Sequence, residues 1–342
     1  MITPLFKCKI EFHFSPHLFQ VYDGFCKLSK KGIIKLDVIK VKKNITKPII
    51  KVIVDNKYTV IYDTLDGFNW KEGSLEDNLS YFEKEYSNVD YYFKRSYCEL
   101  LKDKIKNGKI FPLGLNYSFD FEKKYLLPLK EEVRYVFRKY IKKNILKPID
   151  FEYPPCKNPS DKILFLTRLW NPDEIEDDSI KAQRELINKR RIEFIKICKS
   201  EFGSLFTGGI QADDFSIKIA KDIIVSNKIT NKRTFLKYIK NHNICIATTG
   251  LHNSIGWKFA EYVAGSRAIV SEPLHFILPG NFKESVNYLA FNNSMELIDN
   301  IYSFLKNSDM MIHMMKQNYE YYNNYVDSEK MILNTLLIIH NG

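Results

Sequence analysis

The chain has 342 residues, of which 45% are hydrophobic and 14% aromatic, so it can form two domains with a core each and is not of disordered composition. The 52 lysines and arginines exceed the 41 aspartates and glutamates and leave a net charge of +11. This balance favours phosphate-bearing ligands or an anionic membrane face, although much of the charge also fits a solvated surface. No nucleic-acid module and no basic patch interleaved with aromatic residues is evident, which argues against a nucleic-acid partner.

The six cysteines are scattered, without C-x-x-C spacing and without clustering with histidines. That pattern indicates a reducing compartment and argues against structural zinc. The first seven residues lack the basic-then-apolar pattern of a signal peptide, and no run approaches the roughly 18 apolar residues that a membrane span needs. We therefore expect a cytoplasmic protein, with peripheral attachment to the inner membrane face as the open alternative.

In the first 155 residues, short apolar runs alternate with polar helical stretches, which is typical of an α/β layer. Three prolines within residues 153–159 predict a linker, because proline removes a backbone donor and holds the chain in extended or turn shapes. The strands predicted before this linker are 8–14, 34–41, 49–54, 59–62, 91–93 and 109–112.

The second half begins with a predicted strand at 162–170 that ends on a polar turn, as the first strand of a Rossmann domain does. A long helix with apolar residues at helical spacing is predicted at 179–202 and ends at Gly203. The other predicted elements are a strand at 204–207 that stops at Gly208-Gly209, a loop that holds Asp213 and Asp214 without a role, and helices at 233–242, 295–306 and from 309 onward.

The most informative stretch begins with the apolar run 244–247, which has the length of a buried strand. Small residues follow and lead into a helix that carries one acid, Glu261. The first N–H groups of a helix lack intrahelical partners and lie at the positive end of its dipole, and Gly250 and Gly256 allow close approach by a bulky anion. The stretch is therefore predicted to bind phosphate.

The order of these parts resembles the donor half of a nucleotide-sugar glycosyltransferase of the GT-B type, namely the C-terminal donor domain of group 1, or family 4, enzymes. Glu261, Ala264-Gly265 and the run 268–271 match the family's order of a ribose-gripping Glu, Ala-Gly and an apolar strand. The resemblance covers roughly the last half of the chain. It departs from the pattern at Asn253, eight positions before Glu261, where retaining members often have a Glu. Retention or inversion at the anomeric carbon therefore stays open.

The resemblance implies an α/β fold class with two Rossmann-like domains facing across a cleft (GT-B). It implies an N-terminal acceptor domain at 1–155, a C-terminal nucleotide-sugar donor domain at 160–325 and a last helix at 326–342 that packs back on the first domain. The implied activity is hexosyltransferase-like transfer from a nucleotide sugar to a glycan or lipid-linked acceptor, in surface polysaccharide or glycoconjugate synthesis, without a metal or other cofactor. A nucleotide-sugar epimerase and a non-catalytic partner of another transferase remain as alternatives.

The predicted donor site centres on three charged side chains. Glu261 is expected to accept hydrogen bonds from both ribose hydroxyls, the alternative being an exposed helix Glu paired with a Lys. Arg168, at the end of the first strand of its domain, and Lys258, one turn ahead of Glu261, are expected at the diphosphate, the alternatives being a surface Arg and an ordinary i,i+3 pair. The remaining candidates are Thr249, Gly250, His252 as a donor to the leaving group or an idle loop residue, Ser254 as a phosphate contact and helix cap, and Glu272 as a reader of a sugar hydroxyl.

In the first domain, Asp63 and Asp66 end an apolar run, and Asp66 is the predicted catalytic base for an acceptor hydroxyl. The alternative is a turn, because Asp before Gly is favoured there. Lys94 and Arg95 leave a short strand together and are expected to bind a phosphate of acceptor or donor, unless they are a solvated pair at the strand end. No metal site is predicted, because no Asp-x-Asp motif lies at a strand end.

Overall fold

The computed structural model describes residues 4–40, 47–121, 126, 145–159 and 161–342. Its chain forms two compact units, each with a six-stranded sheet. The first unit comprises Met1–Ile149, Phe276–Asn281 and Asn323–Gly342, and the second comprises Asp150–His275 and Phe282–Tyr322. The predicted α/β class with two Rossmann-like units is confirmed.

The strands of the first sheet are β1 (Phe6–Phe12), β2 (Ile34–Lys40), β3 (Ile49–Val54), β4 (Tyr58–Asp63), β5 (Tyr91–Lys94) and β6 (Lys109–Pro112), in the order β2-β1-β3-β4-β5-β6. β3 is antiparallel to its neighbours, and the other pairs are parallel. The carboxyl ends of β1, β4 and β5 therefore share one edge of the sheet. The predicted strands 49–54 and 109–112 are confirmed with their bounds, whereas β1 lies two residues earlier than predicted; Val41 of the predicted second strand lies outside the described residues.

The strands of the second sheet are β7 (Ile163–Thr167), β8 (Phe206–Gln211), β9 (Ile224–Val225), β10 (Ile244–Ala247), β11 (Ala268–Ser271) and β12 (Leu289–Ala290), in the order β12-β11-β10-β7-β8-β9. All their pairings are parallel. Counted from β7, this is the 3-2-1-4-5-6 order of a dinucleotide-binding fold. The order reverses between β7 and β10, and ligands of such sheets bind beyond the carboxyl ends of strands at that point.

The prediction that the second strand of this sheet stops at Gly208-Gly209 is wrong, because β8 runs through both glycines. A β-carbon on Gly208 would lie 2.0 Å from the ring of Phe206, and one on Gly209 would lie 2.3 Å from the side chain of Val225. The two glycines therefore make room for neighbouring side chains inside the sheet instead of ending the strand.

The described helices are α1 (Phe19–Lys30), α2 (Leu75–Glu85), α3 (Pro148–Phe151), α4 (Asp178–Phe202), α5 (Asp214–Ala220), α6 (Asn227–Thr230), α7 (Lys232–Asn241), α8 (Trp257–Ala264), α9 (Ser294–Lys306), α10 (Ser308–Tyr321) and α11 (Ser328–Asn341). The predicted helices 179–202 and 295–306 differ from α4 and α9 by one residue at the start, and the predicted helix 233–242 is displaced from α7 by one residue at both ends. Asp213 has a role that the sequence did not indicate, since its side chain accepts from the Ser216 N–H and caps α5.

Helices α1 and α11 pack together in the first unit although they lie at opposite ends of the described chain. Lys27 on α1 connects them: its Nζ lies 3.3 Å from Asp327 and donates to Ser328 Oγ at 2.9 Å. Gly24, also on α1, lies directly against the backbone of α11, where an added β-carbon would be 2.2 Å from the carbonyl oxygen of Ser328.

We expect Gly24→Ala to destabilise the protein by about 1 to 3 kcal/mol, because the added methyl overpacks this helix contact. Alanine is otherwise the better helix former by about 1 kcal/mol, so the sign of the effect is diagnostic. Urea unfolding measures it, and Ser29→Ala in the same helix serves as the control. Unchanged or increased stability of Gly24→Ala would contradict the described packing.

The predicted linker lies within the second unit, where it is held by the fully buried Arg267. The guanidinium donates to the carbonyl oxygens of Pro154 at 2.9 Å and Cys156 at 3.2 Å, and Nε donates to that of Gly265 at 2.6 Å. Its ring neighbour is Tyr153, whose centroid lies 5.1 Å from the guanidinium carbon. These contacts fix the segment that enters the second sheet.

Candidate functional site

Two loops meet where the strand order of the second sheet reverses. Arg168 follows β7 directly, and Thr248 and Thr249 follow β10 directly. Both strands are buried along their whole length, so the first residues beyond them are the first that a ligand can reach. This edge of the sheet is the candidate functional site.

Arg191, on the buried side of α4, ties the two loops together. Its Nε donates to Thr248 Oγ1 at 3.1 Å, one Nη donates to the carbonyl oxygen of Arg168 at 2.8 Å, and the other donates to that of Thr249 at 3.3 Å. Burial lowers the pKa of Arg191 to about 10, against the opposing effect of Glu272. Arg191 was not predicted as a functional residue; its signal in the sequence is a cation four positions from both Ile187 and Ile195, in the apolar stripe of the helix.

The side chain of Arg168 is exposed while its backbone is fixed by Arg191. Its guanidinium lies over the ring of Trp170, 4.0 Å from the centroid, which limits the directions that the side chain can take. Partial burial lowers the pKa of Arg168, and Asp213 opposes that effect. Arg168 therefore presents a positioned cation at the edge of the sheet.

Glu272, which follows β11, binds the loop that follows β10. One carboxylate oxygen accepts from the N–H of Thr249 at 2.8 Å and from its hydroxyl at 3.0 Å, while the other pairs with Arg190 at 3.0 Å. Glu272 is buried, so its two bonds to Thr249 hold the loop against the end of β11, while Arg190 on α4 holds the carboxylate. The structure thus places Glu272 next to Thr249, with both carboxylate oxygens engaged by the protein.

The loop then makes a tight turn before α8. The Gly250 N–H donates to the carbonyl oxygen of Ser254 at 2.8 Å, and the Ser254 N–H donates to that of Leu251 at 3.1 Å. His252 has φ 58° in this turn, and its N–H donates to the side chain of Gln183 at 3.0 Å. The prediction that Ser254 caps the helix is wrong, because the cap residue is Gly256 and Ser254 is buried in the turn.

Helix α8 begins at the site, with Gly256 as its N-cap residue and no acid in its first turn. Lys258 lies in that turn, where its Nζ donates to the carbonyl oxygen of Leu166 on β7 and lies 5.3 Å from the centroid of the Phe235 ring. Burial, with the positive charges of Arg191 and Lys232, lowers the pKa of Lys258 to about 7, and Glu261 acts in the opposite direction. The first turn of α8 therefore gathers positive charge with few local acids to balance it.

Glu261 is fully buried one turn further along α8. Oε1 accepts from Lys232 Nζ at 2.5 Å. Oε2 is also buried and accepts no hydrogen bond from the residues that the structure describes. Glu261 is therefore paired with a Lys, as the alternative interpretation had it, but it is not an exposed pair: half of the carboxylate is an unused buried acceptor.

The predicted residues of the first unit lie at the carboxyl ends of β4 and β5. Lys94 is fully buried, with Nζ 3.2 Å from Asp63 and donating to the carbonyl oxygen of Leu65 at 2.6 Å, so the alternative of a solvated pair does not hold for it. Burial lowers the pKa of Lys94, opposed by Asp63. Arg95 is also buried and donates to Asp66, whose side chain is partly exposed.

The described residues contain no group of three or more His, Cys, Asp or Glu side chains arranged to hold a metal ion. None of the helices within them combines the length and apolar character of a membrane-crossing segment.

No protein-family model matches the chain, and a search of curated proteins gives no match. Solved structures do match it. A crystal structure of WaaG, a glycosyltransferase involved in lipopolysaccharide biosynthesis, is 9% identical, with 96% of this chain and 97% of that chain covered and a TM-score of 0.42. HepE from Anabaena, in complex with UDP and glucose, is 10% identical, with coverages of 91% and 88% and a TM-score of 0.36.

A putative UDP-N-acetylglucosamine 2-epimerase from Listeria monocytogenes is 12% identical, with coverages of 96% and 94% and a TM-score of 0.39. Three other matched chains are longer than this one, which spans 55%, 61% and 63% of their lengths. The chain is an α/β protein with two Rossmann-like units, and the solved structures similar to it include the glycosyltransferase WaaG and the C-terminal domain of a glycosyl transferase group 1 family protein from Francisella tularensis.

Proposed function

We propose that the protein is a glycosyltransferase that moves a sugar from a nucleotide-sugar donor to a glycan or lipid-linked acceptor, in surface polysaccharide or glycoconjugate synthesis. The observation that carries the proposal is that two kinds of group lie together near the start of α8: the cations Arg168 and Lys258, and the buried Glu261, whose second carboxylate oxygen has no donor among the described residues. A nucleoside diphosphate supplies the complement of both, since it carries negative phosphates and a ribose with two hydroxyl donors.

In this proposal the donor residues have separate roles. Glu261 accepts from the ribose, Arg168 and Lys258 neutralise the diphosphate, and the backbone of the turn between Thr249 and Ser254 approaches the phosphates, with Gly250 at its start. As the bond to the sugar breaks, negative charge grows on the leaving nucleotide, and fixed cations and helix N–H groups stabilise it. His252 lies in the same turn as a further donor to the leaving oxygen, and Glu272 sets the position of Thr249. The cations serve the role that a metal ion has elsewhere, so the proposal requires none.

We propose the first unit for the acceptor, with residues 1–155 as its main part and residues 160–325 as the donor domain. Asp66 is the proposed base for the acceptor hydroxyl, because its side chain is partly exposed at the carboxyl edge of the first sheet. Arg95 donates to its carboxylate and so limits the directions that the side chain can take. Lys94 supports the same loop through the carbonyl oxygen of Leu65.

The first test is thermal unfolding in the presence of UDP, GDP, CMP, dTDP and their common sugars. We expect one nucleotide class to raise the midpoint, since a ligand at a hundredfold excess over its Kd adds about 2.7 kcal/mol. Glu261→Gln should weaken that ligand roughly tenfold to a hundredfold, the effect of losing a charge-assisted hydrogen bond, whereas the exposed Glu320→Gln should not. Absence of binding across the panel would refute the proposal; a changed sugar nucleotide without any acceptor would indicate an epimerase instead.

A further inference from the structure

Lys232 covers the carboxylate of Glu261 in the free protein. The two groups are 2.5 Å apart, and Lys232 has 38% of its side-chain surface exposed whereas Glu261 has none. Lys232 therefore stands between Glu261 and solvent. A ligand that approaches the Glu261 carboxylate from the side of Lys232 must first displace the ammonium group.

The position of Lys232 is electrostatically unfavourable for a residue that does nothing but pair with Glu261. It is the first residue of α7, and a cation at the N-terminus of a helix opposes the helix dipole. Lys258, in the first turn of α8, lies close enough for the two positive charges to repel each other. Lys232 at the start of α7 and Lys258 at the start of α8 thus lie near a single buried carboxylate, that of Glu261. One negative charge cannot balance two positive charges, so positive charge is in excess here.

We propose that Lys232 is a positioning residue that exchanges partners when the donor binds: it leaves Glu261 to the ribose hydroxyls and moves to an oxygen of the diphosphate. This inference rests on the proposed function, because it takes Glu261 as the ribose ligand. Glu261 keeps its hydrogen bonds in the exchange, since the hydroxyls replace the ammonium group as donors, and the unused Oε2 offers a second acceptor. Lys232 keeps a counter-charge, since the diphosphate replaces the carboxylate.

The exchange makes the two ends of the donor depend on each other. A nucleoside without phosphates brings hydroxyls to Glu261 but offers Lys232 no anion, so it must break the ion pair without replacing it. A nucleoside diphosphate replaces both halves of the pair. Lys232 therefore increases the ratio of diphosphate affinity to nucleoside affinity in two ways: it contacts the phosphate, and it penalises a nucleoside that breaks the ion pair without replacing it.

The test compares the affinities of UDP and uridine, and of GDP and guanosine, for the unaltered protein, Lys232→Met and Lys237→Met by calorimetric titration. Lys237 lies on the same helix and is exposed. Lys237→Met removes the same charge as Lys232→Met, so it is the matched control. We expect Lys232→Met to weaken the diphosphate by about tenfold or more and to leave the nucleoside as tightly bound as before, or more tightly. Lys237→Met should leave both affinities unchanged.

Equal weakening of diphosphate and nucleoside in Lys232→Met would overturn the exchange, since it would show that Lys232 only supports Glu261. Unchanged affinities for both would overturn it as well. Failure of the unaltered protein to bind either diphosphate would instead refute the proposed function, so the two failures are distinguishable. If thermal unfolding shows that Lys232→Met does not fold, Lys232→Gln, which retains one donor for Glu261, takes its place with the same expected change in the ratio.

Discussion

Replacing Lys258 with methionine should lower kcat/KM for sugar transfer about a hundredfold to a thousandfold and at the same time make the protein more stable. The loss of activity follows from removing a cation at the position where charge grows on the leaving nucleotide. The gain in stability follows from the surroundings of Lys258, whose Nζ donates to the carbonyl oxygen of Leu166 and has no carboxylate within 4.0 Å among the described residues. Replacing a poorly paired, half-buried charge with an apolar group of similar length should raise the free energy of unfolding by about 1 to 2 kcal/mol.

The pH dependence of the two effects has a defined sign. The pKa of Lys258 falls from its ordinary 10.5 to about 7 on folding, so between these values the unfolded chain binds more protons than the folded one. The charged form of Lys258 therefore lowers the free energy of unfolding by its full amount below pH 7, and this loss of stability becomes smaller as the pH rises towards 10.5. The stability gain of Lys258→Met should be largest at pH 6 and should decrease by pH 9, measured by urea unfolding at each pH.

Donor affinity should have the opposite dependence on this residue. A bound diphosphate favours the protonated amine, so binding takes up a proton above pH 7, and the Kd of the nucleotide should rise between pH 7 and 9. In Lys258→Met this rise should disappear, while in Lys237→Met, a charge removed from an exposed site, it should persist. A pH-independent Kd in the unaltered protein would show that Lys258 does not meet the phosphates.

Replacing Arg191 with methionine should destabilise the protein by about 3 kcal/mol and abolish donor binding. Its guanidinium serves three acceptors on two loops, the hydroxyl of Thr248 and the carbonyl oxygens of Arg168 and Thr249. Each partly buried acceptor left without a donor costs about 1 kcal/mol. Without this bridge the two loops at the reversal point of the sheet lose their common support.

Arg191→Lys tests the geometry separately from the charge. Lysine keeps the positive charge, but it has one nitrogen in place of a planar fork and cannot span both loops, so it should rescue only part of the stability. The exposed Lys189→Met, on the same helix, is the control for loss of a cation. Full recovery of stability and nucleotide affinity in Arg191→Lys, both followed by thermal unfolding, would contradict the bridging role.

The fold and the outline of the site were predictable where the information is local. The strand and small-residue loop before Glu261 follow from apolar runs, glycines and one acid within some twenty residues of each other, and the structure has β10, the turn and α8 there. The long helix α4 follows from apolar spacing and from Gly203, which ends it with φ 51°. Such patterns depend on near neighbours, which the sequence displays directly.

The partners of the charged residues were not predictable, because they come from distant parts of the chain. Glu261 pairs with Lys232 across 29 positions, and Lys94 pairs with Asp63 across 31. The cap of α8 was mispredicted for another reason: the tight turn buries Ser254 and leaves Gly256 at the cap. Lys94, for which a solvated pair was the alternative to phosphate binding, instead forms an interior ion pair with Asp63, and no pattern of neighbouring residues indicates that.

The packing of α1 against α11 has a consequence for synthesis on the ribosome. Roughly 300 residues separate the two helices in the chain, and at translation rates of about 5 to 20 residues per second the first waits some 15 to 60 s for the second. All segments of the second unit precede α11 in the chain, so the ribosome finishes that unit before it finishes the first. The part of the molecule made first is therefore the last to be completed, and in the interval the apolar face of α1 is the surface that a chaperone would have to protect.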